Sequence, residues 1–189
     1  MRLMNKRKKI FGLIAICAAI LFTVSCTQNS QTANKQKEGE IMTTEKNKAS
    51  NEAQIRQLID GWVKAFQTKD VNLMMSFHAP EFAAFDIIPP LQYVGKDAYR
   101  KVWEEAFALF QDPIELEIRD LSITTGDDVA FSRNLLRVHA TRTNGQKSDY
   151  WERLTFGFRK IDGKWLITHE HVSLPTDFKS GKAVLYLKP

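Results

Sequence analysis

Apolar residues recur along this chain with two different periods, and the change of period divides it. Over residues 50–66 they fall at Ile55, Leu58, Ile59, Trp62, Val63 and Phe66, the spacing that puts one broad stripe on a helix. Ser50 and Asn51 stand ahead of that stripe as N-cap residues. Asp70 is expected to cap a second, short helix that buries Leu73, Met74 and Phe77 and stops before Pro80. A third helix over 96–111, opened by Gly95, turns Val102, Trp103, Ala106, Phe107 and Phe110 inward, and Asp112-Pro113 ends it. Between the second and third helices, residues 82–93 read as a short strand or loop broken by Pro89-Pro90.

From Ile114 onward the period is two. Ile114, Leu116 and Ile118 alternate with Glu115, Glu117 and Arg119, the mark of a strand with one buried face. Gly126-Asp127-Asp128 turns the chain into a second strand over 129–143; Asn144-Gly145 and Asp162-Gly163 are hairpin signals leading to strands over 148–161 and 164–175. Helices followed by an antiparallel meander predict an α+β domain.

Two-residue turns at both dipeptides would set the register. They place Phe158 opposite Ile167, Phe156 opposite His169, Leu154 opposite His171 and Glu152 opposite Ser173; across the other hairpin, Arg133 meets Phe156, Arg137 meets Glu152 and His139 meets Tyr150. One face then has an apolar floor of Phe131, Leu135, Leu154, Phe156, Phe158 and Ile167. Its polar end gathers Arg133, Arg137, His139, Tyr150, Glu152, His169, His171 and Ser173. The opposite face, with Arg153, Thr155, Thr168, Glu170, Trp151 and Val172, suits a wet side or, preferably, a dimer contact. A bulge would exchange the faces.

Composition and charge add the ends of the chain. The net charge of +5 comes from the start: five of the 27 basic residues lie within the first nine positions, and all 22 acidic residues follow Cys26. The remainder is balanced and has no basic stripe, so no nucleic-acid partner is expected. Residues 10–24 (IFGLIAICAAILFTV) form an apolar run, short for a bilayer span, behind that basic start. Thr23-Val24-Ser25-Cys26 resembles a bacterial lipobox without its usual leucine, which predicts a signal peptide over 1–26, lipidation of Cys26, and attachment to the cell envelope through that lipid alone. Cleavage without lipid is the alternative. Residues 27–49, rich in Gln, Asn, Thr and Lys, are expected to be a disordered tether. Removal of the leader also removes Cys17, so disulfides and thiolate chemistry are not expected.

The stretches IRQLIDGWVKAFQTKD (55–70), VGKDAYRKVWEEAF (94–107), GDDVAF (126–131) and ERLTFGFRKIDGKWLITHEHVSLP (152–175) resemble the nuclear transport factor two-like superfamily, in its SnoaL-like or ketosteroid-isomerase-like branch. The resemblance covers most of 50–175 and leaves 176–189 as a tail. It implies a cone, a strongly bent antiparallel sheet wrapped around three N-terminal helices, with a pocket at the wide end and frequent homodimers. It implies no single chemistry, since the fold hosts isomerases, cyclases, dehydratases, ligand carriers and association modules. Among ketosteroid isomerases a catalytic aspartate follows the second helix, about where Asp86 lies; their oxyanion-donating tyrosine is on the first long helix, which here has Trp62 and Phe66.

The candidate chemistry follows from the expected pocket face. His169 and His171 are candidate acid–base groups or polar lining, and Asp86 is a candidate base or a turn residue. Arg133 and Arg137, with His139, Tyr150 and Glu152, would hold an anionic or polar head; the alternative for Arg137 is a cross-strand pair with Glu152. Trp62, Trp103 and Phe156 are expected to line the apolar part, with no cofactor implied. Histidines at alternate strand positions diverge, so no metal site is expected. The function these residues favour is an envelope-anchored domain binding a partly apolar small molecule with a polar or anionic head; the alternatives are an acid–base enzyme (isomerase, cyclase or dehydratase) and a dimerisation or association module.

Overall fold

The structure is a computed structural model, and it describes the backbone of residues 14–189 and the side chains of 35–189. The basic start of the expected signal peptide and the side chain of Cys26 lie outside the described residues. The chain divides into two units, Met1–Lys46 and Asn47–Pro189. Helix α1 is Ile14–Gln67. Residues 27–49, expected to be disordered, are therefore helical, although every side chain from Lys35 to Ser50 is exposed. Gln, Lys, Glu and Ala favour helix, and the hydroxyls of Thr43 and Thr44 donate to the carbonyls of Gly39 and Glu40 at 2.8 and 2.9 Å. Composition showed a segment with nothing to bury; it did not exclude helix. Among the described residues no helix is long and apolar enough to cross a membrane.

In the second unit α1 is followed by α2 (Val71–Ser76), β1 (His78–Phe85), β2 (Tyr93–Val94), α3 (Lys96–Ala108), β3 (Glu115–Thr125), β4 (Val129–Thr141), β5 (Lys147–Ile161) and β6 (Lys164–Ser173). The strands form one bent, open sheet in the order β2-β1-β6-β5-β4-β3. The α+β class is as expected, with one difference: β1 runs parallel to β6, so the sheet is mixed at that side.

Helix α1 runs through Ser50 and Asn51, so neither is a cap. Asn51 is buried instead, donating to the Gly126 carbonyl at 2.9 Å and accepting from Lys160 Nζ at 2.9 Å, which ties the helix to the β3–β4 turn and β5. The stripe Ile55, Ile59, Trp62 and Phe66 is buried with Leu136, Leu154, Phe156, Phe158 and Ile167. Asp70 caps α2, accepting from the Leu73 N–H at 2.9 Å. Met74 and Met75 are the residues that α2 buries; Leu73 is exposed, since a helix this short presents only one side to the core.

Two local features fix which side chains face the helices. In the β4–β5 hairpin, Gly145 N–H donates to the Arg142 carbonyl and Arg142 N–H to the Gln146 carbonyl, both at 2.8 Å. The loop therefore holds three residues, Thr143, Asn144 and Gly145, with Gly145 at φ 85°, the arrangement in which a left-handed glycine closes a type I turn. One additional loop residue shifts the register: Glu152 pairs with Leu136 and Leu154 with Asn134. Every β4 side chain thus changes face. The β5–β6 turn does hold two residues, Phe158 pairing with Ile167, but Gly157 then pairs with His169, leaving Thr168 as a bulge. A Cβ on Gly157 would stand 3.3 Å from His169 Cβ, so glycine allows this close approach. Beyond the bulge β6 is inverted, and Glu170 and Val172 are buried where the histidines were expected.

Candidate functional site

Helices α1 and α3, the loop after β1 and the inner face of β4, β5 and β6 enclose a cavity of about 540 Å³. Its walls are mainly apolar: Trp62, Phe66, Trp103, Phe107, Leu136, Val138 and Leu154. The rings of Phe66, Trp103 and Phe107 pack edge-on or tilted, with centroids 4.8–5.2 Å apart. Arg142, Lys147 and Asp149 of the β4–β5 hairpin also contribute to the lining, and the tail adds Leu185. That tail turns back on itself, Val184 N–H donating to the Pro175 carbonyl at 2.8 Å, instead of adding a strand to the sheet.

Against this apolar wall stand three carboxylates, Asp86, Glu152 and Glu170. Glu152 is 7 % exposed and Glu170 1 %. Burial pushes the Glu152 carboxyl up to about 8, helped by the negative charges of Asp86 and Glu170. It is therefore a protonated acid at neutral pH, able to donate a hydrogen bond. Burial likewise raises Tyr150, with the charges of Glu152 and Asp86 adding to the effect. Tyr99 on α3 is fully buried, its hydroxyl 2.8 Å from Asp86 Oδ2 and 3.1 Å from Glu170 Oε1. Burial and the charges of Glu170 and Asp86 hold the Tyr99 phenol well above its usual range, so it stays protonated and donates. Glu170 Oε2 lies 3.6 Å from His78 Nε2.

Of the residues expected to form the site, Trp62, Asp86, Trp103, Tyr150 and Glu152 line this cavity. Phe156 is buried behind the wall, its ring 5.2 Å from Trp62. Arg133, Arg137 and His139 are on the other face of β4, turned out by the three-residue hairpin loop. Arg137 forms no pair with Glu152; it donates to both oxygens of Asp149 at 2.7 and 2.9 Å, and those bonds hold Asp149 down at about 2. His139 Nδ1 lies 3.7 Å from Asp149. The bulge turns His169 and His171 out as well. His169 Nδ1–H donates to the Ala83 carbonyl at 3.0 Å, and Phe85 packs on both histidine rings.

Three polar residues near the cavity escaped the sequence reading. Tyr99 belongs to the stripe already recognised, one turn before Trp103, and was legible by spacing. Glu170 was assigned to the outer face, and the signal against that was Gly157 inside a strand, which marks a bulge or close approach. His78 had no signal beyond its place at the end of α2.

A bent open sheet over helices, with an aromatic-walled cavity between them, defines an α+β cone. The chain belongs to the SnoaL-like family: that family's model matches residues 55–177. A solved NTF2-like protein of unknown function from Pseudomonas putida KT2440 is 33% identical, with 75% of this chain and 98% of that one covered and a TM-score of 0.69. A ketosteroid isomerase-like protein from Erwinia carotovora atroseptica is 22% identical over 64% of this chain and 93% of that one, with a TM-score of 0.57. A protein of unknown function with a cystatin-like fold from Nostoc punctiforme PCC 73102 is 18% identical over 66% and 90%, with a TM-score of 0.56. These last two share the fold. No curated protein matches the chain.

Proposed function

We propose that this is a lipid-anchored envelope protein whose cavity binds a small, partly apolar carbonyl or hydroxyl compound and transfers a proton within it, as an isomerase, cyclase or dehydratase does. The observation that carries this reading is the pairing of Glu152, held protonated by burial, with Asp86, a hydrogen-bonded acceptor, on one apolar wall. A carboxyl held neutral by burial beside a second carboxyl that accepts a hydrogen bond supplies a proton donor and an acceptor, the elements of acid–base catalysis. Asp86 serves as base, and Glu152 with Tyr150 donates to the oxygen on which negative charge develops. Binding without turnover needs apolar walls and a few polar contacts; three carboxylates crowded against aromatic rings are costly for that purpose alone. The arginines expected to hold an anionic head, Arg133 and Arg137, face away from the cavity, and the cations at its lining are Arg142 and Lys147 of the hairpin.

The test is hydrogen–deuterium exchange at the α-carbon of small ketones, such as 2-cyclohexenone and phenylacetone, followed by proton NMR in D2O. Exchange above the buffer rate is expected, with Asp86→Asn losing roughly 10²-fold or more of it. Ketones that saturate the protein without any accelerated exchange would contradict catalysis and leave a binding protein.

Homodimerisation remains part of the proposal. Its support is three exposed apolar side chains on the sheet's other face, Phe85, Val94 and Phe131, 43 %, 65 % and 48 % exposed, among the arginines and histidines turned out there.

A further inference from the structure

A line of polar groups runs from the cavity wall at Asp86 into the core. The Tyr99 hydroxyl lies between Asp86 Oδ2 at 2.8 Å and Glu170 Oε1 at 3.1 Å; Glu170 Oε2 faces His78 Nε2 at 3.6 Å; and His78 Nδ1 is 2.9 Å from the Met74 carbonyl oxygen. Tyr99, Glu170 and His78 are each exposed by 2 % or less. Phe82 and Tyr99 pack their rings against the imidazole. Other ionisable groups are coupled to this cluster through charge: Glu152 on β5 to Glu170 and Asp86, and Tyr150 on β5 and Tyr93 on β2 to Asp86.

Counting hydrogens gives the line a direction. A carbonyl oxygen only accepts, so Nδ1 of His78 carries a hydrogen. His78 Nε2 and Glu170 Oε2, 3.6 Å apart, are both buried without a hydrogen-bond partner, and a proton placed between them would spare two facing lone pairs, so one is assigned there. Tyr99 has a single hydroxyl hydrogen for two carboxylates. The line thus has three gaps and two protons. A third proton, on Glu170 Oε1 and directed at the Tyr99 oxygen, supplies every gap with one donor.

We propose that Asp86, Tyr99, Glu170 and His78 form one proton-accepting line that opens on the cavity at Asp86 and stores the ligand's proton on Glu170. The ligand's C–H or O–H bond breaks, its electron pair stays on the ligand, and the proton joins Asp86. Tyr99 passes its own hydrogen to Glu170 Oε1 as the proton on Asp86 forms the new phenol O–H. Asp86 is then a carboxylate again, and the reverse passage returns the proton to a different ligand atom. His78 acts through Glu170, holding its other oxygen, and is a positioning residue. The inference rests on the reading of the cavity as a proton-transfer site, but its test needs no substrate.

That test is the 15N NMR signal of His78 Nε2 in the full chain, with Asp86→Asn introduced into the wild type and into Tyr99→Phe. In the wild type, replacing the Asp86 carboxylate by a neutral amide, a weaker acceptor, biases the Tyr99 hydrogen toward Glu170, which weakens Glu170 as an acceptor and moves the signal toward its imidazolium position. Loss of a distant negative charge through space acts in the opposite sense, toward neutral imidazole. Tyr99→Phe keeps the ring and cuts the line, so the imidazolium-ward shift should vanish there. A shift toward neutral imidazole in the wild type, or equal shifts in both backgrounds, would overturn the proposal. Should Tyr99→Phe not fold, Glu170→Gln breaks the same line, and persistence of the shift there would overturn it equally. Ketone exchange can fail while this coupling holds, and the coupling can fail while exchange proceeds, so the two readings stand or fall separately.

Discussion

At Glu152 a single side chain links the fold to the proposed chemistry. Its folded carboxyl titrates at about 8 against an ordinary 4.5, because it is buried beside Asp86 and Glu170. Between those values the folded chain keeps a proton that the unfolded chain releases. The stabilisation from that proton is complete below the ordinary value and is lost as pH rises through about 8. Over this window the group alone lowers stability by about 1.4 kcal/mol per pH unit. Urea denaturation of the wild type should therefore show a falling midpoint as pH rises through this window, and Glu152→Gln should flatten that part of the profile. An unchanged slope in the variant would mean that the carboxyl is not buried as described. Glu152 was legible from sequence because β5 kept the expected alternation, Tyr150, Glu152, Leu154, Phe156 and Phe158 all facing inward.

Among the elements, β4 and β6 show why part of the site was not legible. Their existence, span and apolar alternation followed from the sequence, but a strand's facing depends on a count of one residue, and two such counts differed. Asn144-Gly145 signals a hairpin without stating whether the loop holds two residues or three, and the third residue turns Arg133, Arg137 and His139 outward. The bulge at Thr168 does the same to His169 and His171. The hairpin account makes a prediction. Gly145 sits at φ 85°, and a Cβ there meets nothing within 4 Å, so Gly145→Ala tests backbone conformation alone. It should cost about 1–2 kcal/mol, read as a lowered melting temperature. A neutral substitution would argue against the left-handed three-residue loop. Asp70→Ala should likewise remove about 1 kcal/mol by leaving the first turn of α2 uncapped.

For the whole molecule, class and family were open to sequence reading because they rest on many residues at once: three helical stripes, a switch to period two and the stretch ending in HEHVSLP. The cavity contents depend on facing, and facing on single loop residues. Two proposals belong to this scale. In a bacterial host, palmitate labelling should depend on Cys26, and a Cys26→Ser chain that still took up label would contradict the lipid anchor. If the outer sheet face joins two copies, Phe131→Lys should convert a sedimenting dimer to monomer; a monomeric wild type at micromolar concentration would contradict the dimer.

The central claim is that an apolar cavity holds Glu152 as a neutral acid beside acceptor carboxylates at working pH. The most direct measurement is the 13C shift of the Glu152 side-chain carboxyl across pH 4–10, assigned by comparison with Glu152→Gln. The account predicts a protonated signal at pH 7 and a midpoint near 8. A midpoint near the ordinary 4.5 would show a solvated carboxylate and contradict the account of the site.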